Sequence, residues 1–145
     1  MPTPRFTRFR PSSASASRIK ADLPRLNTSP ETALRSSLWA LGLRFRLHVR
    51  TLPGNPDIVL PRHRAVIFVD GDFWHGRAWF EKRVAPATNS DFWIAKFERN
   101  HRRDRVVDLT LRKNGWSVLR LWGSEVKRAP LAGALKVREI GRAHV

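Results

Sequence analysis

The chain contains no cysteine in its 145 residues. That excludes disulfides, thiolate zinc sites, iron–sulfur clusters and a cysteine nucleophile. Acids are scarce as well, with 12 Asp and Glu against 28 Lys and Arg, a formal net charge of +16. Such an imbalance points to a polyanionic partner, either nucleic acid or an anionic membrane surface. No apolar run approaches the roughly 18 residues that a membrane-spanning helix needs. The basic start around Arg5, Arg8 and Arg10 is not followed by an apolar stretch, so it does not read as a secretory signal. Apolar material is nonetheless ample: 41% hydrophobic residues, with 6 Trp and 8 Phe, suffice for the core of one domain. The expectation is a soluble intracellular protein.

Residues 1–27 form a stretch rich in Pro, Ser and Arg, where Arg5, Arg8, Arg10, Arg18, Lys20 and Arg25 face the single acid Asp22. It reads as a basic arm, either laid along phosphates or simply solubilising. Ser29-Pro30-Glu31 starts a helix: a capping hydroxyl, a proline suited to the first turn, and an acid at the positive end of the dipole. Leu34, Leu38 and Leu41 follow at helical spacing and Gly42 stops it. Arg44 to His48 alternates as a half-buried strand does. Leu52 to Pro56 is a turn cluster, Asp57 to Leu60 a short strand, and Ala65 to Val69 an apolar strand. Residues 71–90 read as irregular, about 91–114 as a long helix ended by Gly115, 117–122 as a strand and 123–137 as a final helix. Residues 139–145 match one reading frame of a translated sequencing adapter and are expected to be non-native. Codons unlike the adapter in the source nucleotide sequence would remove that expectation.

With acids so few, their positions carry information. Asp57 opens one strand, Asp70 ends the next, and Asp72 and His75 follow closely. If the two strands are antiparallel neighbours, Asp57 and Asp70 approach one another at a sheet edge. Carboxylates beside a histidine suit Mg2+, which takes one or two carboxylates together with waters and substrate phosphate oxygens. A metal there generates a nucleophile and stabilises charge on a phosphodiester. The bland alternative is that each Asp is a turn residue or strand terminator. On the long helix, Trp93, Phe97, Asn100, Asp104, Val107 and Leu111 share one face. Asn100 and Asp104 then need partners, for instance in the His75 loop. Lys96, Arg99, Arg102, Arg103, Arg105, Arg112 and Lys113 occupy the other faces, as phosphate contacts or as a solvated surface. Phe73-Trp74 and Phe92-Trp93 serve either as core or as wedges between base pairs.

These segments resemble the very short patch repair endonucleases. The similarity is carried by 52–59 (Leu-Pro-Gly-Asn-Pro-Asp-Ile-Val), by 65–75 through Asp70-Gly71-Asp72-Phe73-Trp74-His75, by 86–93, by Asn100 to Asp104, and by 114–122. It extends from about residue 18 to residue 137, with the motifs in order at compatible spacings. The resemblance implies a restriction-endonuclease-like α/β core, a central mixed sheet flanked by helices. It implies Mg2+-dependent nicking of double-stranded DNA at T:G mismatches, with Mn2+ as a possible substitute. Asp57 matches the family's catalytic, metal-binding aspartate, His75 its catalytic histidine, and Glu31 a glutamate near the active site. Phe73, Trp74 and Trp93 match aromatics that intercalate beside the mismatch. A bacterial, nucleoid-associated cytoplasmic monomer is implied, with a mismatch-repair protein as a possible partner and no membrane.

Two departures stand out. The best-known members hold a structural zinc, and the matching positions are here Asp72, Arg77 and Ser124, so that zinc is expected to be absent. Where the prototype has Thr-His this chain has Val69-Asp70, which makes Asp70 a candidate second metal ligand. A nuclease of the same fold without T:G preference, a non-catalytic DNA-binding module and an inactive fragment are the remaining readings.

Overall fold

A computed structural model describes residues 29–142. The arm expected over 1–27 and the last three residues of the chain lie outside them. Helix α1, Pro30–Ala40, begins as the sequence predicts: the Ser29 hydroxyl accepts the Thr32 N–H at 3.2 Å. It ends where Gly42 takes a positive φ of 86°. Strand β1 is only Arg46–Leu47, shorter than the alternation over 44–48 suggests. The reason is His48, whose φ of 48° turns the chain out of the extended region.

Strand β2, Ile58–Leu60, pairs antiparallel with β1 and with β3, Ala65–Asp70. Pro61–His63 forms a single 3-10 turn between them, closed by Arg64 in the left-handed region. Strand β4, Ser117–Trp122, lies parallel to β3, pairing Ala65 with Ser117 at one end and Asp70 with Trp122 at the other. The result is a mixed sheet in the order β1-β2-β3-β4.

The segment 71–90 is less irregular than expected. Arg77–Lys82 forms a short helix, α2, set between left-handed Gly76 and Arg83. Helix α3, Ser90–Lys113, is the long predicted helix, and Gly115 at φ 89° ends it. The expected final helix is two. Helix α4, Gly123–Arg128, stops before Pro130, which cannot continue its hydrogen bonding, and α5 runs over Pro130–Arg142. Glu139 to Arg142 form the last turn of α5, with Gly141 buried against His63. Among the described residues no helix is long and apolar enough to cross a membrane.

The sheet is covered on both faces. Ala65 and Ile67 of β3 point to α1, α4 and α5, packing with Leu34, Leu38, Leu121, Val126 and Val137. Val66 and Phe68 point the other way, packing with Val118 and with Leu111 of α3. This period of two carries Asp70 and Arg120 to the α3 side, where polar groups replace apolar ones at the ends of β3 and β4.

Candidate active site

At that end of the sheet lies a cleft of about 440 Å3 between the turn after β1, the end of β3, and α3. Its walls include Asn55, Asp57, Asp70, His75, Arg103, Asp104 and Arg120. The turn that leads into Asp57 needs its glycine. Gly54 has φ 77°, and a Cβ there would lie 2.6 Å from Val107 Cγ1 on α3. Asp57 follows buried Pro56 and is anchored at once: the Val69 N–H donates to its Oδ2 at 2.7 Å.

On one side of Asp57 stands His48. Its backbone N–H donates to the Asp57 carbonyl at 3.1 Å, and its ring Nδ1 lies 4.0 Å from Asp57 Oδ1. His48 Nε2 is 2.8 Å from Glu31 Oε2 at the first turn of α1. Glu31, matched to the site only through the resemblance, thus reaches Asp57 across His48. Burial pushes the Asp57 carboxyl up to about 6; the Val69 N–H partly opposes this, while Glu31 and Asp70 add to it.

On the other side stand Asp70 and His75. His75 Nδ1 is 2.9 Å from Asp104 Oδ2, so Nδ1 carries the proton and Nε2 faces Asp70 Oδ1 at 3.6 Å. Burial alone would depress the His75 pKa, but the bond to Asp104 and the Asp70 charge outweigh it and raise it above its ordinary value. Burial likewise raises the Asp70 carboxyl, against the pull of His75 and Arg120. Asp104 goes the opposite way: its bond to His75 and the Arg120 charge overcome burial and lower it. Asn100 Nδ2 donates to the Trp74 carbonyl at 3.1 Å, so α3 holds the His75 loop at two points.

Arg120 was not singled out from the sequence. Its Nη1 lies 3.1 Å from Asp70 Oδ1, and its Nε and Nη2 donate to Asp108 at 3.0 and 2.8 Å. A lone cation inside the otherwise apolar run Val118-Leu119-Arg120-Leu121 was the available signal. His48 offered a weaker one, being a polar residue at the end of a strand that pairs toward Asp57.

The residues fit a divalent cation. Glu31, His48 and Asp57 bring one ligand atom each within 4.8 Å of one another, and so do Asp70, His75 and Asp104. Burial, more than the neighbouring charges, raises the Asp57 carboxyl, and a bound cation would offset that cost. Asp57 and Asp70 line the same cleft but fall in two neighbouring groups rather than one.

The aromatic residues Phe73, Trp74 and Trp93 form one cluster, with ring centroids 4.9 to 5.7 Å apart and mostly edge-to-face. Phe97 closes it from below as a buried ring. Trp74 is 57% exposed and Phe73 48%, so the cluster presents an apolar face directly beside His75.

The positions matched to zinc ligands do not fit zinc. Asp72, Arg77 and Ser124 supply a carboxylate, a guanidinium and a hydroxyl, with no thiolate or imidazole among them. The Arg77 cation itself occupies the node.

A mixed α/β sheet with a carboxylate–histidine cleft at one end and an exposed aromatic cluster beside it suits metal-assisted phosphodiester chemistry, and the relatives of the chain are DNA endonucleases. The family model described as DNA mismatch endonuclease Vsr matches residues 11–81. A type II nicking enzyme of Haemophilus parainfluenzae is 40% identical over 121 residues, 83% of this chain and 86% of that one. A type II nicking enzyme of Neisseria meningitidis serogroup C is 44% identical over 115 residues, 79% of this chain and 78% of that one. The DNA mismatch endonuclease Vsr of Escherichia coli strain K12 is 42% identical over 96 residues, 66% of this chain and 61% of that one. The chain belongs to the Vsr family of DNA endonucleases.

Proposed function

We propose that this endonuclease nicks one strand of double-stranded DNA at T:G mismatches, as a monomer, with Mg2+ or Mn2+ at the Asp57 cleft. The observation that carries this reading is the loop Phe73-Trp74-His75. One continuous segment bears two exposed rings and the histidine that faces the carboxylates. Rings of that size beside a basic surface unstack bases most readily where pairing is already weak, as it is at a mismatch. The scissile phosphate then falls within reach of the cleft.

Asp57 is the principal metal ligand, with Glu31 and His48 behind it and Asp70 across the cleft. The ion, when bound, lowers the pKa of water and offsets charge developing on the phosphate oxygens. His75 Nε2 takes the proton of the attacking water as phosphorus is attacked in line, and the departing sugar oxygen takes a proton from solvent. Asp104 holds the ring in the tautomer that leaves Nε2 free to accept. Arg103, at the rim, and the cations on the outer faces of α3 hold the backbone phosphates. A mismatch-repair protein as a recruiting partner belongs to the same proposal.

Two labelled duplexes that differ only in T:G against C:G at one position test the reading. Nicking of the T:G duplex alone, lost in Asp57→Ala, is the expected result. Equal nicking of both duplexes would leave the nuclease and remove the mismatch preference. Metal-independent DNA binding with no nick in either duplex would overturn the proposal.

A further inference from the structure

Three of the few carboxylates in this basic chain converge on one guanidinium just beyond the ends of β3 and β4. Arg77 Nη2 is 2.6 Å from Glu125 Oε2, Nη1 is 3.1 Å from Asp72 Oδ2, and Nε is 3.1 Å from Glu81 Oε2. Arg77 Nη1 also donates to the Ser124 hydroxyl at 3.2 Å. Asp72 in turn accepts the Ser124 N–H at 3.0 Å and the Ser124 hydroxyl at 2.6 Å. The Arg77 backbone N–H closes on the Asp72 carbonyl at 3.0 Å, and the Trp122 ring lies 5.2 Å from the guanidinium carbon.

The two ends joined in this way are the loop after β3 and the first turn of α4 after β4. The strands are parallel neighbours whose last partners are Asp70 and Trp122. Asp72 stands between Asp70 and the Phe73-Trp74-His75 segment, so whatever fixes Asp72 fixes the start of that segment. Inside the loop, His75 N–H donates to the Gly71 carbonyl and Gly76 N–H to the Phe73 carbonyl, at 3.1 and 2.9 Å. These bonds tie His75 and Gly76 back to the start of the loop, so the segment is held from Asp72 at one end as well as from Asn100 and Asp104 on α3.

We propose that Arg77 is a positioning residue that does here what a structural metal would do. Its planar fork joins Asp72, Ser124 and Glu125 and thereby aims His75 and the aromatic pair at DNA. A guanidinium suits the task because its donors are fixed in one plane and its charge is permanent. Exposed ion pairs contribute little to global stability, so the clasp acts on the local opening of the loop rather than on the unfolding of the domain. The kinetic part of the proposal rests on the nicking activity proposed above; the structural part does not.

The test uses the full chain as wild type, Arg77→Lys and Arg77→Gln. Hydrogen exchange followed by mass spectrometry reads residues 71–77 and 123–126, and nicking of a T:G duplex gives kcat and KM. In Arg77→Gln, exchange in those two segments should accelerate roughly tenfold or more while the sheet stays protected. Its kcat should fall by about tenfold or more with KM changed little, because a loosened loop misaims His75 without removing phosphate contacts. Arg77→Lys keeps the charge without the fork and should fall between. Wild-type exchange and wild-type kcat in Arg77→Gln would overturn the proposal. Equal loss of protection throughout the sheet in both variants would overturn it too, as a general stability effect. If the wild type nicks nothing, the exchange arm still decides whether the clasp holds the loop.

Discussion

Replacing Asp57 by Asn should make the metal-free protein more stable while abolishing its nicking. Asp57 is largely buried, its side chain 26% exposed, and its carboxyl is pushed from 3.8 up to about 6. For a carboxyl raised on folding, the folded state holds its proton more tightly than the unfolded one. The penalty is absent well below the unfolded value near 3.8, grows as pH rises through it, and is complete above about 6. At about 1.36 kcal/mol per unit, the full penalty at neutral pH is on the order of 3 kcal/mol. Asn carries no charge, and its Oδ1 still accepts the Val69 N–H that Asp57 Oδ2 accepts at 2.7 Å. For a domain of this size each kcal/mol moves the melting temperature by roughly 3–6 °C, so a rise of at least about 5 °C is predicted in EDTA near neutral pH. The assay is a thermal melt of both proteins across pH. The difference should shrink to nothing below about pH 3, and added Mg2+ should narrow it at neutral pH by stabilising the wild type only. A variant that melts at or below the wild type in EDTA at neutral pH, or a difference that persists undiminished below about pH 3, would refute the reasoning.

Asp104→Asn removes the partner that raises the His75 pKa and fixes its tautomer. The rising limb of the pH–rate profile should therefore move to lower pH, with kcat about 10²-fold lower; an unmoved limb would count against His75 as the proton acceptor. Trp74→Ala should fold normally, since the ring is 57% exposed. It should weaken binding to a T:G duplex by about 1–3 kcal/mol, read by fluorescence anisotropy. Gly54→Ala places a Cβ 2.6 Å from Val107 Cγ1 at a φ of 77°, and should lower stability by about 1–3 kcal/mol in a denaturant melt.

Much of the architecture was legible because its signals are local. Ser29-Pro30-Glu31 capped α1, Gly115 ended α3, and the apolar run from Ala65 announced β3. What failed was set by single backbone states or by competition between neighbours. A left-handed His48 cut β1 to two residues. Pro130 divided the final helix, and Arg77–Lys82, inside the stretch read as irregular, became a short helix between two left-handed residues. Around the cleft, the acids were conspicuous because the chain has so few. Their partners were not. His48, Arg120 and the Arg77 clasp are brought to the acids by pairing across 9, 50 and 48 residues of chain, as between His48 and Asp57, Asp70 and Arg120, and Arg77 and Glu125. No local pattern carries such a distance. The division of the carboxylates into a Glu31–His48–Asp57 group and an Asp70–His75–Asp104 group likewise depends on which side of the cleft each strand end faces.

The most direct test of the central claim, a metal-assisted nick made at the Asp57 cleft, is a single-turnover assay on one T:G duplex. Wild type and Asp57→Asn are compared with Mg2+ and with EDTA, with DNA binding measured in parallel. The account predicts a nick for the wild type in Mg2+ alone, and duplex binding by both proteins under both conditions. Nicking by Asp57→Asn at the wild-type rate, or by the wild type in EDTA, would contradict it.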